Sequence, residues 1–302
     1  MDAATLPVDV LRRILAVLSF TDAIRASQVC RHWRACSAAF AGTADLSDLH
    51  LRQAATPAAL SRGLRSVAQR FPLLRGVHFC CVGAPWLRFA DVDVKFCAQH
   101  CKHLREIMVC GPCINAVAAI AACIRVEEVS LYAQAPAPAP VDEIAGSAPP
   151  TLRALSVECT PNAAVLPITL SAVWTLSNLK VLRLPGNALG HVAVGALFNL
   201  EVLDLSWNFI TELPPDIANL RNLQVLCVSE NRLTDIPNEL CDLPRLEKLD
   251  VSYNYLLSLP PALATMKALL VLDARHNMFF PSRIPAVVLQ LPALIIEEST
   301  FI

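Results

Sequence analysis

Residues 200–208 read Leu-Glu-Val-Leu-Asp-Leu-Ser-Trp-Asn, and the same phrase returns along the C-terminal part of the chain. Each copy is a leucine, two variable residues, an apolar residue, one variable residue, a second apolar residue, two variable residues and an asparagine. The copies are Leu179-Leu182-Leu184-Asn187, Leu200-Leu203-Leu205-Asn208, Leu223-Leu226-Val228-Asn231, Leu246-Leu249-Val251-Asn254 and Leu269-Leu272-Ala274-Asn277. Their asparagines lie 21, 23, 23 and 23 residues apart. Three copies continue into an aliphatic–proline pair: Leu213-Pro214, Ile236-Pro237 and Leu259-Pro260. A fixed period of this size marks a repeat architecture, in which no unit buries its apolar residues alone and each stacks on the next.

The phrase matches the leucine-rich repeat, and its physics follows from the spacing. Apolar–variable–apolar is strand period, so Leu203 and Leu205 point inward while Val202, Asp204 and Ser206 face out. The asparagine carries donors and acceptors and satisfies backbone that turns out of the strand. Segments such as PPDIANL and PNELCDL return the chain through a short helix or turn. Weaker copies without the asparagine extend N-terminally: Leu152-Leu155-Val157, Val126-Val129-Leu131, Leu104-Ile107-Val109, Leu74-Val77-Phe79 and Leu46-Leu49-Leu51. Leu291-Leu294-Ile296 adds one more at the C-terminal side, for up to eleven strands. The Pro/Ala-rich stretch 134–150, QAPAPAPVDEIAGSAPP, interrupts the array and reads as an extended surface loop between two strands.

Residues 5–38 do not fit the repeat. Leu6-Pro7-Val8-Asp9 has proline and an acidic residue at a helix start. Val10, Leu11, Ile14, Leu15 and Leu18 then form one helical stripe, Thr21-Asp22 opens a second helix, and Val29, Cys30, Trp33 and Cys36 form a third apolar set. Three short helices in so few residues make a marginal core and need a surface to pack against.

This N-terminal stretch resembles an F-box. Its Leu-Pro opening, Ile-Leu pair, central Asp and Val-Cys-x-x-Trp ending stand here as Leu6, Pro7, Ile14, Leu15, Asp22, Val29, Cys30 and Trp33; Ala23 is smaller than the leucine common after that Asp. With the repeats, the chain is similar to F-box leucine-rich-repeat proteins, the substrate receptors of SCF-type ubiquitin ligases. The family's repeats tend to be longer and to place Cys at the asparagine position, whereas the block here looks more like scaffold-type repeats.

The fold expected is therefore α/β: a curved leucine-rich-repeat solenoid, with a parallel sheet inside and helices or turns outside, preceded by a small all-α F-box. Residues 1–42 form the F-box domain and 43–302 the repeats, irregular over 43–175, regular over 176–280 and closing over 281–302. The resemblance implies a Skp-type adaptor, and through it a cullin, docked on Leu6, Pro7, Leu11, Ile14, Leu15, Leu18, Val29 and Trp33. It implies a protein substrate on the repeat face, no covalent chemistry by this chain and no cofactor. The outward column His50, His78, Met108, Ser130, Ser156, Arg183, Asp204, Cys227, Asp250 and Asp273, with Trp207, Glu230, Tyr253, Arg275 and His276 beside it, is the candidate contact face. Of these, Arg183, Asp204, Trp207, Glu230, Asp250, Tyr253, Asp273, Arg275 and His276 are the chosen substrate-binding residues, since exposed aromatics flanked by charge suit recognition. A non-catalytic scaffold, in which the N-terminal helices only cap the solenoid, is the alternative.

Other chemistry finds less support. The chain is 55% hydrophobic and 17% charged, yet the best charge-free span, 159–179, holds Pro161, Asn162 and Pro167 and makes a poor membrane helix. No basic region precedes an apolar core at the N-terminus, so a secretory signal is not expected and a cytoplasmic or nuclear location is. A net charge of −1 argues against a nucleic-acid partner. The twelve cysteines then read as reduced thiols, with Cys123 and Cys227 acting as small core hydrophobes. Cys110-Gly-Pro-Cys113 spells a thioredoxin-like tetrapeptide, but it falls where a repeat turns and reads as turn chemistry. Cys97, His100, Cys101, His103, Cys110 and Cys113 could bind zinc only if four converge; no metal is expected. No nucleophile elbow, phosphate loop or HExxH is present.

Overall fold

The structure is a computed structural model. It describes residues 43–45, 66–67, 69, 71, 73–80, 100–110, 125–133, 141–159, 169–279, 285–290 and 294–295. Residues 5–38, with the side chains expected to dock an adaptor, lie outside these, as does His50. Two compact units divide the chain: one through Gln134 with Ser147–Leu152, the other Ala135–Gly146 with Arg153–Ile302.

The first unit carries parallel strands β1 (Thr43–Asp45), β2 (Gly76–Cys80), β3 (Glu106–Cys110) and β4 (Glu128–Ala133), paired in chain order. Val77, Ile107 and Val129 are in register and buried, as the repeat phrase demands. The first strand corrects the sequence reading. Leu46-Leu49-Leu51 is not its phrase: Ala44 lies opposite Val77 and Asp45 opposite His78. Register therefore follows the ladder rather than the leucine spacing alone.

The second unit carries β5 (Ala154–Cys159), β6 (Val181–Arg183), β7 (Val202–Asp204), β8 (Val225–Cys227), β9 (Lys248–Asp250), β10 (Val271–Asp273) and β11 (Leu294–Ile295), also parallel and in chain order. Leu155, Leu182, Leu203, Leu226, Leu249 and Leu272 form one fully buried column across the strands. Burying a leucine stabilises by about 1.5–3 kcal/mol, so the column alone accounts for much of the cohesion between repeats.

The aliphatic–proline pairs close each repeat. Leu213, Ile236 and Leu259 are buried, and Pro214, Pro237 and Pro260 lead into one-turn 3₁₀ helices at Pro215–Asn219, Asn238–Asp242 and Pro261–Thr265. Proline fits there because its fixed φ precedes a helix start that has no acceptor for an N–H. Ile217, Leu240 and Leu263 return from these turns into the core.

The Pro/Ala-rich stretch is also corrected. Val141–Gly146 is a helix, α1, that buries Val141, Ile144 and Ala145. The Asp142 carboxylate anchors it, accepting the amide protons of Ser171 and Ala172 at 2.8–2.9 Å and the Ser171 hydroxyl at 2.9 Å. Burial pushes this carboxyl up, but the bonds from Ser171, Val173 and Ala172 outweigh it and hold its pKa below the ordinary value. A second helix, α2 (Ala286–Leu289), packs Val288 inward beside the Pro261–Thr265 turn. Among the described residues, no helix is long and apolar enough to cross a membrane.

Candidate binding face

The outward residues of β5 to β10 form the central column expected from the sequence: Ser156, Arg183, Asp204, Cys227, Asp250 and Asp273 stand side by side in register. Three of the carboxylates hold their own turn together. Asp204 accepts the Ser206 amide at 3.0 Å and its hydroxyl at 2.7 Å, and Asp250 does the same for Ser252 at 3.1 and 2.7 Å. At Asp273 an arginine replaces the serine: Arg275 donates from Nε at 3.0 Å to Oδ1 and from a terminal guanidinium nitrogen at 2.7 Å to Oδ2. Burial raises the Asp273 carboxyl, yet the Arg275 bonds and the charges of Arg275 and Lys248 prevail and hold it below the usual range.

Glu158 faces the same column from β5. Its pKa is raised by burial and then by the Asp204 charge, against the pull of Arg183 and a hydrogen bond with Ser156. Cys227 belongs to this face and not to the core, a correction to the sequence reading. It is half-buried, lies 3.5 Å from the Ser229 hydroxyl and donates to Asp250 at 3.7 Å. Burial pushes its thiol to about 11, so it is a poor nucleophile at neutral pH.

Beyond each strand the chain turns sharply, and here the asparagines act. Asn208 donates to the carbonyls of Leu184, Leu205 and Ser206 at 2.8–3.0 Å and accepts the Leu189 amide at 2.9 Å. Asn231, Asn254 and Asn277 repeat the set in their own repeats. Asn187 begins the ladder, and there the Cys159 thiol supplies the donor to its side-chain oxygen at 3.3 Å.

The residue before each asparagine takes a left-handed backbone: Gly186 at φ 71°, Trp207 at 58°, Glu230 at 54°, Tyr253 at 52° and His276 at 53°. This conformation costs a side-chain-bearing residue about 1–2 kcal/mol, and it is held by a ladder that continues past the strands. Trp207 donates its amide to Ser229, Glu230 to Ser252 and Tyr253 to Arg275, at 2.9–3.1 Å. Four side chains thus form a single row at the rim of the sheet. Trp207 is 52% exposed and Tyr253 47%. The Tyr253 and His276 rings stack with centroids 4.0 Å apart.

A parallel row lies just past the asparagines, where Arg232 sits 4.5 Å from the centroid of the Phe209 ring and Tyr255 is exposed. The two rows wall an open groove of about 410 Å³, with the asparagine ladder as its floor. Of the sequence-chosen residues, the structure brings Trp207, Glu230, Tyr253 and His276 together in this groove. It leaves Arg183, Asp204, Asp250, Asp273 and Arg275 in the strand columns alongside. Phe209, Arg232 and Tyr255 were not chosen from the sequence. Their shared position one residue after the asparagine was the available signal.

Of the six Cys and His residues weighed for zinc, the structure describes His100, Cys101, His103 and Cys110. Cys101 is turned into the core, where it donates to the Phe71 carbonyl at 3.7 Å, while His100 and His103 are exposed. Among the described residues, no group of three or more metal-ligating side chains occurs. Cys97, Cys113 and the other residues just after Cys110 lie outside them.

Family comparison now adds the part of the chain that the structure leaves undescribed. Residues 3–39 match the F-box-like family, and residues 198–256 and 221–279 match the leucine rich repeat family. The chain joins an F-box-like segment to leucine-rich repeats. Solved structures agree with the repeat fold. The internalin InlF of Listeria monocytogenes is 16% identical, with TM-score 0.52 over 77% of this chain and 76% of its own. The plant peptide hormone receptor RGFR1, solved in complex with RGF2, is 19% identical, with TM-score 0.55 over 77% of this chain and 36% of its own. At these identities the likeness is one of fold. Among curated proteins, none matches the sequence. Both matched modules are of a kind that typically binds other proteins.

Proposed function

We propose that this chain is the substrate-recognition subunit of an SCF-type ubiquitin ligase. One observation carries the reading: an F-box-like match at residues 3–39 on the same chain as a repeat array whose outer rim exposes Trp207 and Tyr253. In this reading the apolar stripe Leu6, Pro7, Leu11, Ile14, Leu15, Leu18, Val29 and Trp33 docks a Skp-type adaptor and through it a cullin. The repeats hold a protein substrate through the rim aromatics and the charged strand columns. The chain makes and breaks no covalent bond. Its contribution is to convert a bimolecular encounter between substrate and ubiquitin-loaded enzyme into a tethered one at high effective concentration. Such an assembly belongs to the cytoplasm or nucleus.

Affinity purification of the full chain beside a chain lacking residues 1–38 tests this. Adaptor and cullin should be lost with the deletion while repeat-side partners persist. Recovery of repeat-side partners alone by both forms would favour a scaffold whose N-terminal helices only cap the solenoid.

A further inference from the structure

We propose that the rim groove binds a lysine or arginine side chain from an extended segment of the partner protein, clamped between Trp207 and Tyr253 over Glu230. The inference rests on the reading of the repeats as a protein-binding face and specifies what that face selects. Alignment places Glu230 between the two aromatics: Asp204, Cys227 and Asp250 are paired across β7, β8 and β9, and Trp207, Glu230 and Tyr253 each lie three residues later in the turn, where the Trp207 and Glu230 amides still donate to Ser229 and Ser252 of the next repeat. Neighbouring strands are about 4.8 Å apart, so the backbones of Trp207 and Tyr253 stand two strand spacings apart with Glu230 in the row between them and the open groove beside it.

The Glu230 carboxylate has no hydrogen-bond or ion-pair partner among the described residues, although the residue is half-buried in the groove. An unpaired carboxylate with an aromatic residue on either side is complementary to a cation, which gains the charge and, against a ring face, its quadrupole. The groove shows the same chemistry internally, since Arg232, its one Lys or Arg, already lies against Phe209. Asp204 and Asp250 in the adjacent column add negative charge and steer a basic segment toward the row.

The test uses the full chain and fluorescein-labelled decapeptide libraries, degenerate except for a central Arg, Lys, norleucine or Glu, read by fluorescence anisotropy. The Arg and Lys libraries should bind about tenfold more tightly than the norleucine library, with the Glu library weakest. Glu230→Gln should bring the Arg and norleucine libraries within about twofold of each other, Glu230→Lys should favour the Glu library, and Trp207→Ala should weaken the basic libraries. Glu239→Gln, outside the groove, should change nothing. Equal binding of all libraries, no binding, or a ranking that survives Glu230→Gln overturns the proposal. Unfolding midpoints of each variant confirm its fold, and the Trp207→Ala result decides if Glu230→Gln is unstable. Adaptor capture is measured on the same preparations. Lost ranking with captured adaptor counts against the groove alone, and ranking without adaptor counts against the receptor reading alone.

Discussion

The Asn231 side chain donates to the Leu205 carbonyl, 26 residues upstream, at 2.9 Å, and so ties one repeat to its predecessor through a buried bond. The same amide also donates to Val228 and Ser229, and its oxygen accepts the Ile210 amide. Removing it leaves the buried Ile210 amide without an acceptor and takes one of two donors from each of the Leu205, Val228 and Ser229 carbonyls, which keep Asn208, Asn254 and the Trp207 amide. Asn231→Ala should cost about 2 kcal/mol, read from urea unfolding. Asn231→Asp should be at least as damaging, because it keeps the acceptor and loses every donor. A loss below about 0.5 kcal/mol in either variant would show that the ladder is not what holds the turns.

Glu230 holds a left-handed backbone at φ 54° without a structural role for its carboxylate. Glu230→Gly should therefore leave stability unchanged or raise it by up to about 1 kcal/mol, while weakening recognition of basic partners. A residue kept at conformational cost and dispensable for stability is best explained by binding. Clear destabilisation by this substitution would contradict that account.

Acid should weaken the second unit in a defined way. The Asp273 carboxyl is held below its ordinary value of 3.8 in the fold, so the unfolded chain takes up the proton first. Its stabilisation is complete above that value and is lost as pH falls through the lower folded value. Arg275→Gln should flatten this part of the pH dependence of unfolding, leaving the contribution of the same sign from Asp142. An identical acid limb in wild type and Arg275→Gln would refute the pairing.

Cys101 should behave as a core residue. Burial raises its thiol to about 11, so iodoacetamide at neutral pH should label it only after unfolding. Rapid labelling of Cys101 in the native chain, or stoichiometric zinc that depends on it, would contradict its placement.

Most strands were legible because inward leucines two residues apart set both period and face. Val129-Leu131, Leu203-Leu205 and Leu249-Val251 are buried as the spacing requires. The first strand was misplaced because, with no asparagine to fix register, Leu46-Leu49-Leu51 satisfies the template as well as the true Ala44 position does. Helix α1 was hidden by its Pro/Ala-rich surroundings, although Val141, Ile144 and Ala145 have helical spacing. In the candidate face, Trp207, Glu230, Tyr253 and His276 could be chosen as variable residues. Their gathering into one row depends on the sign of φ, which only Gly186 hints at in the sequence. Phe209 and Arg232 were missed because positions after the asparagine lie outside the strand phrase.

The central claim is that one chain carries both an adaptor dock and a protein-binding face. Its most direct test is capture of a purified Skp-type adaptor by the full chain and by Leu15→Lys, with the unfolding transition of the repeats followed in both. Capture by the native chain, abolished by Leu15→Lys while the repeats unfold as before, is the predicted result. No capture by the native chain, or capture undiminished by Leu15→Lys, would contradict it.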